Sequence, residues 1–175
     1  DDSFKVIEQV ENGISMVGFG AVMNERPALE YIKIAEDSMV LIVYPGHPLS
    51  NQKEVMVSDL LGESLVLRHE PMGMRLTFAN ALTKAGFNLD QYQPKLILNT
   101  TTGVISAVEA KSGIAFVSYS TIKDRESLGL VKVVQIKNLN IRRDLFCIYR
   151  KEDTVNSLIM NFVEFATKSF LEKNS

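Results

Sequence analysis

Tryptophan is absent from this 175-residue chain, and Cys147 is its only cysteine. A single cysteine excludes an internal disulfide bond. No apolar run approaches the roughly 20 residues that a membrane-spanning helix needs. No signal peptide is visible, and Asp1 stands where an initiator methionine would. We therefore expect a cytoplasmic protein, and the start of the chain indicates a segment of something longer.

An excess of charge of either sign is also missing, since 19 basic residues face 21 acidic ones for a net charge of −2. This balance predicts no contact of this segment with nucleic acid or an anionic membrane. The motifs of common enzyme classes are absent: a Gly-rich phosphate loop, HExxH, paired CxxC and GxSxG. Cys147 lies in an apolar strand pattern typical of a packed core residue, and His47 has no second His or Cys at ligand spacing. We expect no enzyme, no metal and no cofactor.

Strand and helix patterns alternate along the chain, whose residues are 46% apolar and 23% charged. The composition is globular, and the length suits one domain or two small lobes. The alternation predicts an α/β fold with a largely parallel sheet. Separate strands are predicted at 29–34 and 39–44, and Asp153 or Thr154 is expected to cap the last helix. The apolar stripe of that helix is typical of a core or a subunit contact, and it consists of Val155, Leu158, Ile159, Phe162, Phe165, Ala166 and Phe170.

Residues 96–120 are the most informative stretch, with the pattern strand, turn, helix, turn, strand. The apolar run at 96–98 is bounded like a buried strand, and Asn99, Thr100 and Thr101 carry side-chain oxygens that can cap a helix. A second apolar run at 114–117 completes a βαβ unit with parallel strands. Ligands of such sheets bind beyond the carboxyl ends of the strands, at helix N-termini. The turn is therefore either a plain helix cap or a ligand contact.

Glycines in the predicted strand near residue 18 suggest a second candidate contact. Gly18 and Gly20 allow the backbone to approach another group closely. That group is either a packing neighbour or a ligand.

Short motifs along nearly the whole chain, taken in order, resemble the effector-binding (regulatory) domain of LysR-type transcriptional regulators. The most specific match is the strand at 37–43 followed by Gly46-His47-Pro48-Leu49, because the family has a strand and then a His-Pro-Leu turn. The other motifs are Val10-Glu11-Asn12-Gly13 with Val17-Gly18-Phe19, Asp59-Leu60-Leu61-Gly62-Glu63, Leu65-Val66-Leu67, Gly73-Met74-Arg75, Val108-Glu109-Ala110 with Gly113-Ile114-Ala115, and Tyr149-Arg150-Lys151.

Four positions depart from the family pattern. Met72 stands where a Ser is frequent, which removes a hydroxyl contact. Lys111 replaces a common Gly at a helix end, and it requires either a left-handed Lys or a different turn. Met16 replaces a frequent Asp, and Ser118 replaces a usual Pro. These departures bear on the ligand rather than on the fold.

The resemblance implies an α/β fold of two Rossmann-like lobes with a ligand cleft between them, as in type 2 periplasmic binding proteins. Lobe I would comprise residues 1–37 and 145–175, and lobe II residues 38–144. The family's first strand and helix of lobe I have no counterpart in this chain, nor has its N-terminal winged helix-turn-helix. This segment is therefore expected not to bind DNA itself.

A ligand-sensing function is also implied by the resemblance. A small effector, often an organic acid or another anion, would bind in the cleft and alter promoter binding by the homodimer or tetramer of a bacterial regulator. Asn99, Thr100 and Thr101 are the expected contacts at the central turn. The other expected contacts are Met72 as an apolar wall, Gly73 beside it, and Gly20 and Ala21 as backbone groups.

Three alternatives stay open at the level of sequence. An exported solute-binding protein of the same fold would carry a signal sequence upstream of Asp1. An enzyme would need a catalytic pair, for which His69 and Glu70 are candidates although adjacent side chains usually point apart. A module with a vestigial cleft would show no thermal shift with any metabolite.

Overall fold

The computed structural model describes residues 3–69, 79–86, 88 and 94–173, with side chains as far as residue 170. Short 3-10 helices lie at Pro48–Asn51, Val57–Leu60, Tyr119–Thr121 and Lys151–Val155. The α-helices are α1 (Ser3–Glu11), α2 (described over residues 79–84), α3 (Thr101–Glu109), α4 (Lys123–Ser127) and α5 (Ser157–Lys173). The strands are β1 (Val17–Gly20), β2 (Leu29–Val43), β3 (Val66–Arg68), β4 (Leu96–Leu98), β5 (Ala115–Ser118), β6 (Lys132–Val134) and β7 (Ile141–Arg150).

The chain divides into two compact units. The first comprises Asp1–Asp37 and Arg143–Ser175, and the second comprises Ser38–Arg142. The family resemblance predicts the second crossing after residue 144, two residues later than this division. Strands β2 and β7 each contribute residues to both units.

The core of the first unit has two faces. Strand β1 pairs antiparallel with β7, and β7 lies beside β2. Successive strand residues point to opposite faces, so Ile148 packs with α1 whereas Cys147 and Tyr149 pack with α5. Because helices cover both faces, residues 145–149 of β7 form an uninterrupted apolar run. The buried residues of the two faces are Ile7, Val10, Leu29 and Ile148 on one side, and Ile34, Cys147, Tyr149, Ile159 and Val163 on the other.

Gly18 lets α1 approach β1 closely. A Cβ atom at this position would lie 2.5 Å from Val6 Cγ1 and 2.9 Å from Val10 Cγ2. Contacts this short do not occur between real side chains, so only glycine fits without a shift of the helix. The close approach that the sequence predicts here is made by a packing neighbour.

The second unit shows that the expectation of a largely parallel sheet is wrong. Its part of β2 pairs antiparallel with β5 and with β6, whereas β3 and β4 are parallel. Strands β4 and β5 are not paired neighbours, because β4 pairs with β3 and the parallel bridge next to β5 joins Leu65 to Ile114. An uninterrupted apolar run indicates a strand that is buried on both faces. Such strands are typical of parallel sheets, but a run this short also fits a buried antiparallel strand.

Strand β4 is also less buried than its sequence suggests. Leu96 is 37% exposed and Ile97 is 58% exposed, so the prediction of a buried strand is wrong. Among the described strands β4 pairs only with β3. An apolar run of three residues does not distinguish the centre of a sheet from its edge.

The two strands predicted between residues 29 and 44 are one strand of 15 residues. The polar residues in its middle, which suggested a break, are accommodated by an ion pair. Asp37 is buried, and one of its carboxylate oxygens accepts hydrogen bonds from Arg143 Nε at 2.8 Å and from Nη2 at 2.7 Å. A buried carboxylate that is paired in this way can lie inside a strand.

Helix α5 begins later than predicted. Asn156 caps it, since its side-chain oxygen accepts from the Leu158 N–H at 3.1 Å, and Asp153 and Thr154 lie in the preceding 3-10 helix. The predicted apolar stripe is divided. Ile159 and Ala166 are buried, whereas the exposed members are Val155, Leu158, Phe162, Phe165 and Phe170.

The His-Pro-Leu turn has a structural basis. His47 is buried, and its Nδ1 accepts from the Leu49 N–H at 3.2 Å, which caps the 3-10 helix Pro48–Asn51. Its Nε2 lies 3.2 Å from Glu63 Oε2. Both nitrogens of the imidazole ring therefore interact with groups of the same unit.

Lys111 closes α3 in the left-handed conformation, with φ of 60°. The Lys111 N–H donates to the Val108 carbonyl and the Ser112 N–H donates to the Ala107 carbonyl, each at 2.9 Å. This is the Schellman arrangement in which glycine is the usual residue. Of the two possibilities open from sequence, the left-handed Lys is the one observed.

We expect Lys111→Gly to raise the free energy of unfolding by about 0.5–1 kcal/mol, because a left-handed side-chain residue is strained. Chemical denaturation measures the change. Asn138→Gly is the matched control, since Asn138 has the same φ of 60° and Asn tolerates this region better than Lys does. An unchanged or lower stability for Lys111→Gly would contradict the prediction.

Gly18→Ala should lower the free energy of unfolding by about 1–3 kcal/mol, because its added methyl group overpacks the contact with α1. Gly20→Ala is the control on the same strand and should cost less, since its Cβ would lie 3.3 Å from Ser3. Adding Val6→Ala to Gly18→Ala should restore part of the loss. Equal effects of the two glycine substitutions in thermal denaturation would argue against the packing explanation.

Candidate functional site

The parallel pairing of β3 with β4 places two turns of the second unit at one end of this strand pair. Arg68 is in register with Leu98, and the His69 N–H donates to the Leu98 carbonyl at 2.7 Å. Because the strands are parallel, the residues that follow both of them emerge at the same edge. Arg68 thereby comes next to the start of α3, although Thr101 lies 33 positions further along the chain.

Thr100 is the N-cap of α3. Its Oγ1 accepts from the Gly103 N–H at 3.1 Å, and its carbonyl accepts from the Val104 N–H at the same distance. The cap predicted from the Asn-Thr-Thr-Thr turn is confirmed. The N–H groups of Thr101 and Thr102 have no acceptor within the helix, and together with the helix dipole they carry partial positive charge.

Arg68 donates from Nη1 to Thr101 Oγ1 at 3.1 Å. Its half-buried guanidinium group therefore lies beside the positive end of α3. Asn99 and Thr100 at the same turn are exposed. Full positive charge, helix N–H groups and hydroxyl donors together favour a carboxylate or another small anion.

Arg68 is a candidate site residue that the sequence pattern does not reveal. The pattern places Arg68 at the start of a loop, with nothing to connect it to the Thr turn. The signal that could have found it is the parallel register, in which the last residue of β3 faces the last residue of β4. The two strands are 27 residues apart in the sequence, and their pairing cannot be deduced from either apolar run.

Gly20 and Ala21 lie at the end of β1 in the first unit. The Ala21 N–H donates to Ser3 Oγ at 3.1 Å, and a Cβ on Gly20 would lie 3.3 Å from the same side chain. The Ala21 N–H therefore has a partner within the unit, and the contact of either residue with a ligand stays a prediction. Met72 and Gly73 lie outside the described residues.

In the described part of the chain, the surroundings of the other reactive side chains give no indication of catalysis or metal binding. Cys147 is fully buried, and this burial raises the pKa of its thiol to about 11, which opposes formation of a nucleophilic thiolate. His69 is exposed, and Glu70 lies outside the described residues. Within residues 3–69, 79–86, 88 and 94–173, no three His, Cys, Asp or Glu side chains gather as a metal site would require.

The helices in these ranges are too short or too polar to cross a membrane.

Comparison with known proteins identifies the family. The model of the LysR substrate binding domain matches residues 1–171. An uncharacterized HTH-type transcriptional regulator of Methanocaldococcus jannaschii is 32% identical over 165 residues, which cover 94% of this chain and 54% of that protein. The chain thus spans about half the length of this relative.

Two solved domains share the fold. The Synechocystis PCC6803 CcmR regulatory domain in complex with 2-PG has a TM-score of 0.83 at 16% identity, covering 97% of this chain and 80% of that one. The effector binding domain of QuiR in complex with shikimate has a TM-score of 0.79 at 17% identity, covering 98% and 79%. The predicted fold family is confirmed. The chain belongs to the LysR substrate-binding domain family, which is a family of regulators rather than of enzymes.

Proposed function

We propose that this chain is the effector-sensing part of a LysR-type transcriptional regulator and that its effector is a small anion, most simply an organic acid. The observation that carries the proposal is the Arg68–Thr101 pair at the start of α3. Two sources of positive potential meet there, the guanidinium group and the helix N-terminus.

The chemistry of the turn suits a carboxylate. One oxygen would accept from the backbone N–H groups of Thr101 and Thr102, and the other from Arg68. Thr100 already accepts from Gly103 through its oxygen, so its O–H remains a donor to the effector. Asn99 adds an amide that can donate or accept. Met72 as an apolar wall and Gly73 beside it remain predicted contacts of the effector. Gly20 and Ala21 of the first unit remain separate predictions, as backbone groups.

The sensing mechanism requires two states of the domain. An effector shifts an equilibrium only by its difference in affinity for the two states. In the longer protein, this shift would alter promoter binding by a winged helix-turn-helix outside this chain, within a cytoplasmic homodimer or tetramer. The names of the relatives support regulation of transcription, and the shikimate that QuiR holds is a carboxylate.

Arg68→Gln should weaken binding of the effector by about 10- to 100-fold, because a charge-assisted hydrogen bond contributes about 1.5–3 kcal/mol. A thermal-shift screen of organic acids, amino acids and inorganic anions supplies the ligand, and calorimetry then measures its Kd. Arg142→Gln is the matched control, because Arg142 is an exposed arginine of the same unit. An unchanged Kd for the Arg68→Gln variant would show that the effector binds elsewhere.

Thr101→Val should also weaken binding of that ligand, since it removes the hydroxyl that positions Arg68 while keeping the side-chain shape. Thr101→Ser should retain most of the affinity, and Thr102→Val serves as the control in the same turn. Thr100→Val should weaken binding and in addition lower the free energy of unfolding by about 1 kcal/mol through loss of the cap. Unaltered affinity in both the Thr100 and the Thr101 variants would exclude this turn as the binding site.

A further inference from the structure

The chain passes between its two units twice, through β2 and through β7. Strand β2 leaves the first unit after Asp37, and β7 enters it at Arg143. Strand β1 pairs with β7 over residues 146–149, whereas β5 and β6 pair with β2 over residues 39–43. Both crossing points lie between these two sets of pairings. Among the described strands, the sheet is therefore two strands wide where the units divide.

A sheet of two strands offers little resistance to deformation. Isolated pairs of strands are marginally stable in water, and two-stranded ribbons twist more than wider sheets do. We call residues 35–38 of β2 and 142–145 of β7 the crossing segment. Because local opening is easiest where few neighbouring elements hold the backbone, we expect the chain to change conformation in this segment at the lowest cost.

A buried ion pair joins the two strands inside the crossing segment. The Asp37 side chain is 6% exposed, and its Oδ2 accepts from both Nε and Nη2 of Arg143, whose side chain is 24% exposed. Loss of one partner would leave a charge buried without its counter-charge, which is strongly unfavourable. The pair therefore opposes any separation of β2 from β7 at this point.

A second ion pair joins the same two strands, but it lies in solvent. Lys33 Nζ is 2.5 Å from Asp144 Oδ1, and the two side chains are 50% and 41% exposed. Exposed pairs contribute little, because water and salt screen the charges and the long side chains lose rotamer freedom. Of these two pairs, the buried one is thus the effective restraint on the crossing segment.

We propose that the Asp37–Arg143 pair is a clamp that restricts the crossing segment and thereby limits passage of the domain between its two states. Asp37 and Arg143 are positioning residues, since they act through β2 and β7 and not by contact with the effector. With the clamp in place, the two strands move as one ribbon, and binding has less conformational freedom to remove. The inference rests on the proposed function for the existence of two states.

Hydrogen exchange of the full-length protein, measured without any effector, tests the clamp. Asp37→Asn keeps the shape of the side chain and removes the charge that Arg143 holds. Asp144→Asn is the matched control, because it makes the same substitution in the exposed pair of the same two strands. Mass spectrometry of peptic peptides then compares the crossing segment with α1 and β1 of the first unit.

We expect the crossing segment of Asp37→Asn to exchange at least tenfold faster than that of the unsubstituted protein, while α1 and β1 stay within twofold. Asp144→Asn should stay within twofold throughout. Unchanged exchange in the crossing segment of Asp37→Asn would overturn the proposal. Equal acceleration in β1 would also overturn it, because the pair would then stabilise the whole first unit and not one segment.

Arg143→Lys replaces Asp37→Asn if that variant does not fold, since Lys keeps the charge but lacks the planar arrangement of donors. The same outcomes then decide. A failure of the clamp is distinguishable from a failure of the proposed function, because exchange is measured without a bound acid. The effector site is tested separately, by the Kd of the Arg68→Gln variant.

Discussion

The parallel pairing of β3 with β4 is the constraint on which the candidate site depends. Each strand has only three residues, yet their register decides what can reach the start of α3. With Arg68 opposite Leu98, the guanidinium group reaches the first helical residue. A register shifted by one residue would turn Arg68 to the opposite face of the strand pair. The candidate site therefore depends on the geometry of this strand pair.

Local features of this fold were predictable because they depend on neighbours in the sequence. The Thr100 cap follows from a hydroxyl placed three residues before a free N–H group. At Lys111 the sequence left two conformations open, and the backbone adopts the left-handed one. The His-Pro-Leu turn was expected from the resemblance, and the structure adds that the His47 side chain caps the short helix that follows it. Each involves atoms a few residues apart.

Features that depend on distant residues were not predictable from the pattern. The predicted strand direction is wrong for the pairings of β2, because a short apolar run fits a buried strand of either direction. The unbroken course of β2 was missed because the partner of Asp37 is Arg143, 106 residues away. Arg68 escaped notice for the same reason. The family resemblance predicts the fold but not these contacts. It depends on the order of the motifs along the sequence and not on which strands pair.

A chain with a net charge of −2 can still bind an anion, because net charge and local potential are different quantities. The N–H groups of a first helical turn and one half-buried guanidinium create a positive potential within a few ångströms, while the acidic residues act through screened solvent. A diffuse basic surface would attract nucleic acid and any polyanion alike. Positive charge confined to one turn selects instead for ligands that fit the spacing of two N–H groups and a planar guanidinium. Selection of this kind is what a metabolite sensor requires, because affinity for bulk anions would hold the domain permanently in one state.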